Sequence, residues 1–388
     1  MAGSPGARPR LLVLGAGPAQ LGLLRAARER GLHVIAVDRD PGASGFGYAD
    51  SRVLLSTEDE PAVERLARAE RIDGVISPGA DWTVGTAARI AERLRLPHPI
   101  DGATAVLATS KQRQREGFAA AGVPQPRLLD EPQVPCVVKA PDRQGQRGIT
   151  LVRTEAELPA AIEAAIAASR NGGYIAEEYV EGPEVTVNAV SVDGEFHPLT
   201  VTDRLTADPP AFGVALAHAW PSDTASQALF DAARAAANAL GIRNGPTYTQ
   251  LRVSPAGPKI LEIAARLGGG HDAELVELAT GVRLNHLALD FALGETPGNT
   301  TFQASVGGAC VLFLVAPEGE LVSVEGVEDA ESVEGVAEVR LYRRPGHMFG
   351  PLLRGADRAG AILATGESRD DALERAHRAA AALRFLVR

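Results

Sequence analysis

In the stretch VVKAPDRQGQRGITLV, Val137 to Val152, a lysine ends an apolar run just before a loop containing two glycines. A loop of that kind suits phosphate oxygens. Glycines let backbone amides approach closely, and the Lys139 ammonium supplies positive charge. It is not a Walker loop, because the lysine precedes Gly145 and Gly148 and no GxxxxGK[ST] occurs. A glycine hairpin with an incidental lysine fits the same residues.

Two further groups carry chemistry. In IAEEYVEGPEVTV the carboxylates Glu177, Glu178, Glu181 and Glu184 crowd among apolar residues. They read either as a solvated strand end or as a linker whose backbone meets a base while Glu184 reaches sugar hydroxyls. In GPTYTQLRVSPAGPKILEIAARLGGG, Gln250 and Glu262 sit on two strands joined by a glycine turn, so they can lie side by side. The two-residue period of a strand puts Glu262, Ala264 and Arg266 on one face. A carboxylate beside a guanidinium suits a hard cation and a phosphoryl group, with a structural Glu–Arg pair as the other reading.

Lysine usage sharpens the first group. Of 39 basic residues only Lys111, Lys139 and Lys259 are lysine. An ammonium kept in so arginine-rich a chain points to places where a compact, flexible charge is needed. Lys259, in the turn between the Gln250 and Glu262 strands, reads as surface.

These groups need rigid elements to hold them. The 388 residues suffice for two or three domains, and 45% hydrophobic with 23% charged residues is a globular composition. LLVLGAG, HVIAVDRD and DGVISPG read as buried strands alternating with helices at PAQLGLLRAARERG and Pro61 to Ala69, the latter capped by Thr57 and Glu60. This predicts a parallel α/β unit over about the first hundred residues. TSKQRQREGFAAAG reads as a helix stopped at Gly122, and Thr154 with Glu157 caps another that runs to Asn171-Gly172-Gly173. Asp193-Gly194 and Ala256-Gly257 mark hairpins, and a closing helix is expected from Ser368 to Leu386.

Several classes are excluded or disfavoured. A net charge of -10 argues against a nucleic-acid surface. No segment has the length of a membrane span, and no signal peptide is evident at the N-terminus. Cys136 and Cys310 lack metal-ligand spacing, the histidines form no HExxH, and a reduced cytoplasmic setting is expected. The opening Gly15-Ala16-Gly17 with Asp38 partly matches a dinucleotide fingerprint, but Gln20 stands where the third glycine belongs and Gly22 comes too late. That turn is expected to join strand to helix, with Gly15, Gly17 and Gln20 facing a substrate. A nicotinamide oxidoreductase and a non-catalytic nucleotide-binding regulator remain as other readings.

In this order and spacing the three groups resemble the ATP-grasp superfamily over essentially the whole chain. The resemblance implies a mixed α/β and α+β fold in three parts: a Rossmann-like domain over 1–105, an ATP-grasp domain over 106–300 with its lid at about 130–182, and a C-terminal lobe over 301–388. It implies ATP and Mg²⁺ as cofactors. Lys111 and Lys139 match the ATP lysines, Gly145 and Gly148 the lid loop, Glu177, Glu178 and Val180 the adenine hinge, and Glu184 the ribose contact. Glu262 matches a magnesium ligand and Arg266 the arginine steadying the reacting group, so Arg266 and Lys139 are the expected catalytic residues. The family's second acidic ligand is Gln250 here, and its asparagine is Ala264, which leaves the number of Mg²⁺ ions open.

Members of the superfamily activate a carboxylate as an acyl phosphate and pass it to a nucleophile. RLGGGHDAELVELATGVRL resembles amino-acid ligases, so an ADP-forming carboxylate–amine ligase making an amide or peptide bond is expected. The alternative is a biotin-carboxylase-like or purine-pathway enzyme activating bicarbonate or formate. Arg204, His218, Gly268, Gly269 and His271 are the expected substrate contacts. Family habit points to a homodimer acting on small molecules.

Overall fold

The computed structural model describes residues 8–388, so part of the N-terminal stretch read for a signal peptide lies outside the described residues. The first strands form a four-stranded parallel sheet in the order Ser51–Leu54, His33–Asp38, Arg10–Leu14, Gly74–Ile76. Leu11 to Leu14 are fully buried because helices cover both faces, which accounts for their unbroken apolar character. The helix Glu60–Glu70 is capped by Asp59, whose carboxylate accepts from the Ala62 amide, and not by the expected Thr57–Glu60 box. Glu60 instead accepts from Arg89 at 3.0 Å and pairs with Arg93 at 2.5 Å, and two guanidiniums outcompete one amide.

The opening glycine turn has a structural explanation. Gly15 sits at φ +104°, and Asp38 accepts from the Ala16 amide at 2.8 Å and the Asp40 amide at 3.0 Å. Both carboxylate oxygens of Asp38 thus brace backbone. Gly22 lies on the helix Leu21–Glu29, where a Cβ would stand 2.2 Å from Glu274 Oε1. The late glycine is there for helix packing.

The large sheet has eight antiparallel strands in the order Gly257–Ala264, Gly245–Ser254, Glu184–Val192, Glu195–Thr206, Ala215–Trp220, Gly308–Leu314, Gly360–Gly366, Val336–Leu341. Strands from the last eighty or so residues therefore extend the same sheet as the middle of the chain. Val185, Val187 and Ala189 pack one face against Leu229, Ala233 and Ala236 of the helix Gln227–Ala239. Asp193-Gly194, both at positive φ, close the expected hairpin.

A separate three-stranded sheet places Cys136–Lys139 between Ile149–Val152 and Ile175–Glu178. Cys136 and Val138 point to the helix Leu158–Ala168, so strand alternation turns Val137 and Lys139 to the other face. The Thr154–Glu157 capping box forms as expected. The helix stops at Ala168, earlier than the glycines, because Asp142 gathers the backbone amides of Arg170 and Asn171. The closing helix spans Arg369–Ala382 only; Arg384–Val387 then pairs with Gly319–Glu325 as a strand. Both cysteines are buried and free, and among the described residues no helix is long and apolar enough to cross a membrane.

Replacing Gly22 with alanine should lower stability by about 1–3 kcal/mol through overpacking against Glu274. The urea midpoint should fall, whereas Gly47→Ala, with open space around it, should leave the midpoint almost unchanged.

Candidate functional site

The helix Lys111–Ala121 presents Lys111, Gln114 and Arg115 on one buried stripe, the i, i+3, i+4 spacing of a helix face. Gln114 imitates a strand: its amide donates to the Ile263 carbonyl at 2.9 Å and accepts from the Ile263 amide at 3.1 Å. This clamps the helix to the edge of the large sheet. Lys111 is thereby held 3.1 Å from Glu262.

Arg115 reaches past the sheet edge to Glu177, with Nε donating at 2.7 Å, and the other Glu177 oxygen pairs with Lys139 at 2.6 Å. All three side chains are buried. Burial pulls the Lys139 ammonium down to about 8, only partly offset by the Glu177 charge. Burial pushes the Glu177 carboxyl up, but Lys139 and Arg115 outweigh it and hold it below the usual range. Glu177, expected with Glu178 and Val180 at an adenine hinge, therefore has no side-chain oxygen free for a base.

Between the three-stranded sheet and the large sheet lies a cavity of about 80 Å³. Lys111, Lys139, Glu177, Glu178, Val180 and Glu184 all line it. Glu184 accepts from Arg204 at 2.7 Å, and Glu178 from Arg127 at 2.8 Å. Glu178 also pairs with Lys259, which lies on the strand Gly257–Ala264 and not in a turn, so the surface reading of that lysine is corrected. Of the lid glycines, Gly145 lines a neighbouring cavity. Gly148, at φ +65°, packs inside the lid, where a Cβ would come 2.6 Å from that of Ala168.

That neighbouring cavity has a volume of about 300 Å³. It meets the first at Gln250 and Glu262, which line both and face each other in strand register. Against the upward push of burial, the charges of Lys111, Lys139 and Arg266 hold Glu262 at about 2. In the orientation that satisfies both ends of its amide, the Gln250 oxygen accepts from Arg204 at 3.1 Å and its nitrogen donates to Glu262 at 3.3 Å. Its oxygen thus faces a guanidinium, which disfavours Gln250 as a metal ligand. No cluster of three or more acidic, histidine or cysteine side chains able to hold a metal exists among the described residues. Glu262 alone fits a Mg²⁺ that takes most of its oxygens from phosphates and water.

Arg204, His218 and Gly269 line the larger cavity, as do Arg266 and Gln20. Arg266 pairs with Asp81 at 2.6 Å, so the N-terminal region helps to aim it. His218 is buried beside Asp272 at 3.3 Å, and burial keeps its ring below its ordinary pKa. Gly268 and His271 do not line the cavity. A Cβ at Gly268 would stand 2.2 Å from the Asp272 carboxylate, and the His271 ring is held by Tyr342 and, at 2.8 Å, by Arg340. His271 has φ +60° at the start of the helix Asp272–Thr280, and that backbone turns its ring away from the cavity into the protein. Gly15 lines a different crevice, and Gly17 lines neither cavity.

The sequence reading missed three residues. Gln114 and Arg115 look like ordinary polar positions of a helix. Arg358 sits in the cavity wall, 3.6 Å above the Phe313 ring, with no carboxylate in salt-bridge range among the described residues. Burial pulls its guanidinium down to about 10. Nothing in the local sequence distinguishes this arginine from the many others.

The ATP-grasp domain model matches residues 132–274, and the model for L-amino acid ligase C-terminal domain 2 matches residues 312–388. The y4rH protein of Sinorhizobium fredii is 28% identical over 90% of this chain and 77% of its own length. The formate-dependent phosphoribosylglycinamide formyltransferase of Burkholderia vietnamiensis is 29% identical, over 97% of this chain and 95% of that one. In fold, the L-amino acid ligase of Bacillus licheniformis superposes with a TM-score of 0.85 at 21% identity, over 98% of this chain and 99% of that one.

Because Lys139 loses its proton near pH 8, its charge is present below that value and absent above it. ADP affinity should fall about tenfold between pH 7 and pH 9 if the charged form is the binding one. Titrations across that range should show the fall, and Lys139→Met should flatten it. The matched domain model, the cavities meeting at Glu262 and a fold shared over nearly the full chain have one common reading: the chain contains an ATP-grasp domain and has the fold of the L-amino acid ligase it superposes on.

Proposed function

We propose that the protein is an ATP-dependent, ADP-forming carboxylate–amine ligase that activates an amino acid's carboxylate as an acyl phosphate and joins it to an amine. The observation that carries this reading is the meeting of two cavities at Glu262, one walled by buried lysines and one by arginines. In this reading the smaller cavity takes the nucleotide. Val180 and the backbone beside it meet the base, Glu184 the ribose, and Lys111, Lys139 and the Gly145–Gly148 loop the phosphates. Glu262 holds Mg²⁺, which when bound would neutralise phosphate charge.

The larger cavity takes the acid and the amine. Arg266 and Lys139 face the junction and stabilise the negative charge that develops as phosphoryl and acyl groups transfer. Arg358, buried and without a carboxylate partner, is suited to anchor a substrate carboxylate. Closure of the lid loop keeps water from the acyl phosphate. No protein nucleophile is called for: Cys136 is packed inside the lid, and burial pushes the Cys310 thiol up to about 12.

The purine-pathway and biotin-carboxylase-like reading is favoured by the formyltransferase relative. A cavity of about 300 Å³ exceeds what formate or bicarbonate alone requires and leaves room for a bulkier acid or an amine co-substrate. We place the protein in the cytoplasm as a homodimer acting on small molecules, without nucleic-acid or membrane partners. We divide it into units at 1–105, 106–300 and 301–388.

Incubation with ATP, Mg²⁺ and pooled amino acids should yield ADP and a product whose mass is that of two substrates less water. ADP formed with bicarbonate or formate alone, unchanged by any amino acid, would overturn the amino-acid reading. Lys139→Ala should abolish turnover. Arg358→Ala should raise the KM for the carboxylate substrate by about 10–100-fold, the loss of a hydrogen bond to a charged group.

A further inference from the structure

A third crevice, of about 240 Å³, lies over the carboxyl ends of the four parallel strands. Leu14 and Gly15, Asp38 and Arg39, Ser56 to Glu58, and Ala80 form its floor, one group after each strand. In open parallel sheets this edge, where neighbouring strands connect in opposite directions, is where ligands bind. Its roof comes from the lid: Gln144 and the arginines at 143, 147 and 170.

Charge in this crevice is unbalanced. Asp38 is committed to the Ala16 and Asp40 amides. Glu58 is answered by Arg170 at 2.6 Å, and that guanidinium also stacks 4.2 Å over the Trp82 ring. Arg143 donates to the Ala168 carbonyl. Arg39 and Arg147 have no acidic or carbonyl partner among the described residues. Arg39 belongs to the N-terminal region and Arg147 to the lid loop, so like charges face each other across the line of closure. Arg147 and Arg39 are both exposed residues; partial desolvation and the charges of Arg354, Arg143, Arg39 and Arg170 hold the Arg147 guanidinium below its ordinary pKa.

The crevice also communicates with the larger cavity, since Gln20 and Gln144 line both. We propose that this crevice binds a second anionic group, a phosphate or carboxylate carried at the far end of a substrate that enters past Gln20 and Gln144. The anion bridges Arg39 and Arg147 and so draws the lid loop onto the N-terminal region. That the anion is substrate-borne rests on the ligase reading. The site itself does not.

Two measurements on the full chain test this, the first with ADP saturating so that the nucleotide cavity is filled. In the first, tryptic cleavage after Arg143 is followed with and without inorganic phosphate at constant ionic strength. Phosphate should slow cleavage by about tenfold, the worth of one charged hydrogen bond. The Arg39→Gln/Arg147→Gln variant should lose that protection, and Arg39→Lys/Arg147→Lys should recover part of it. No protection by phosphate, or equal protection in the glutamine variant, overturns the site. In the second, ATP replaces ADP and the KM is compared within pairs of acids, serine against O-phosphoserine and alanine against glutamate. The anionic member should have the lower KM by about tenfold, and the glutamine variant should erase that ratio. Phosphate protection with no such preference overturns the substrate-borne assignment and leaves a site for a free anion. Failure of every acid to yield ADP overturns the ligase reading instead, while the cleavage measurement still decides whether the site exists.

Discussion

The buried carboxylate of Glu177 is the constraint around which the molecule is arranged. It ties the lid sheet, through Lys139, to the helix that carries Arg115, and Arg115 in turn donates to the Leu261 carbonyl at 2.5 Å. Three separate elements thus converge on one anion. Removing one partner from such a buried set costs about 3–5 kcal/mol, because the remaining charge is left unpaired in a poor solvent for it. The same arrangement fixes where Lys139 points and how strongly it keeps its proton. Stability and the charge lining the smaller cavity draw on one ion cluster.

At the junction of the cavities a second cluster follows the same logic with a different balance. Glu262 is surrounded by Lys111, Lys139 and Arg266, so it stays ionised although it is half-buried. The Gln250 amide relays between Arg204 and Glu262 without adding a charge of its own.

Much of this was legible in the sequence where a local pattern carries it. The strand-end position of Lys139 follows from alternation in CVVK, and the pairing of Gln250 with Glu262 follows from one hairpin. The alternating strands and helices of the N-terminal unit were read from apolar runs, and the helix stop from Gly122 itself, which the structure places at positive φ. What escaped depends on distant contacts. Arg115 matters because its helix docks on a strand edge 146 residues away. Arg358 is distinguished only by the Phe313 ring beneath it. His271 lies beside the glycine loop, as a substrate contact would, yet its left-handed backbone aims the ring at Tyr342. The end of the last helix was misplaced because Phe385 and Val387 pack on the core from an extended strand, an outcome decided by tertiary contact over helix propensity.

The continuity of the large sheet has a consequence for how such enzymes can be recombined. Gly308–Leu314 is hydrogen-bonded along its length to Gly360–Gly366 on one side and to Ala215–Trp220 on the other. A chimera that exchanged the last eighty or so residues for those of a relative would therefore graft new strands onto an old edge. Every amide of Ala215–Trp220 on that side would have to find its carbonyl in a foreign chain. Register, twist and the buried alanines of the two inner strands would all need to agree at once. The walls of the larger cavity are inherited together with the backbone ladder that carries them, and substrate choice in this architecture is better altered one side chain at a time than by exchanging modules.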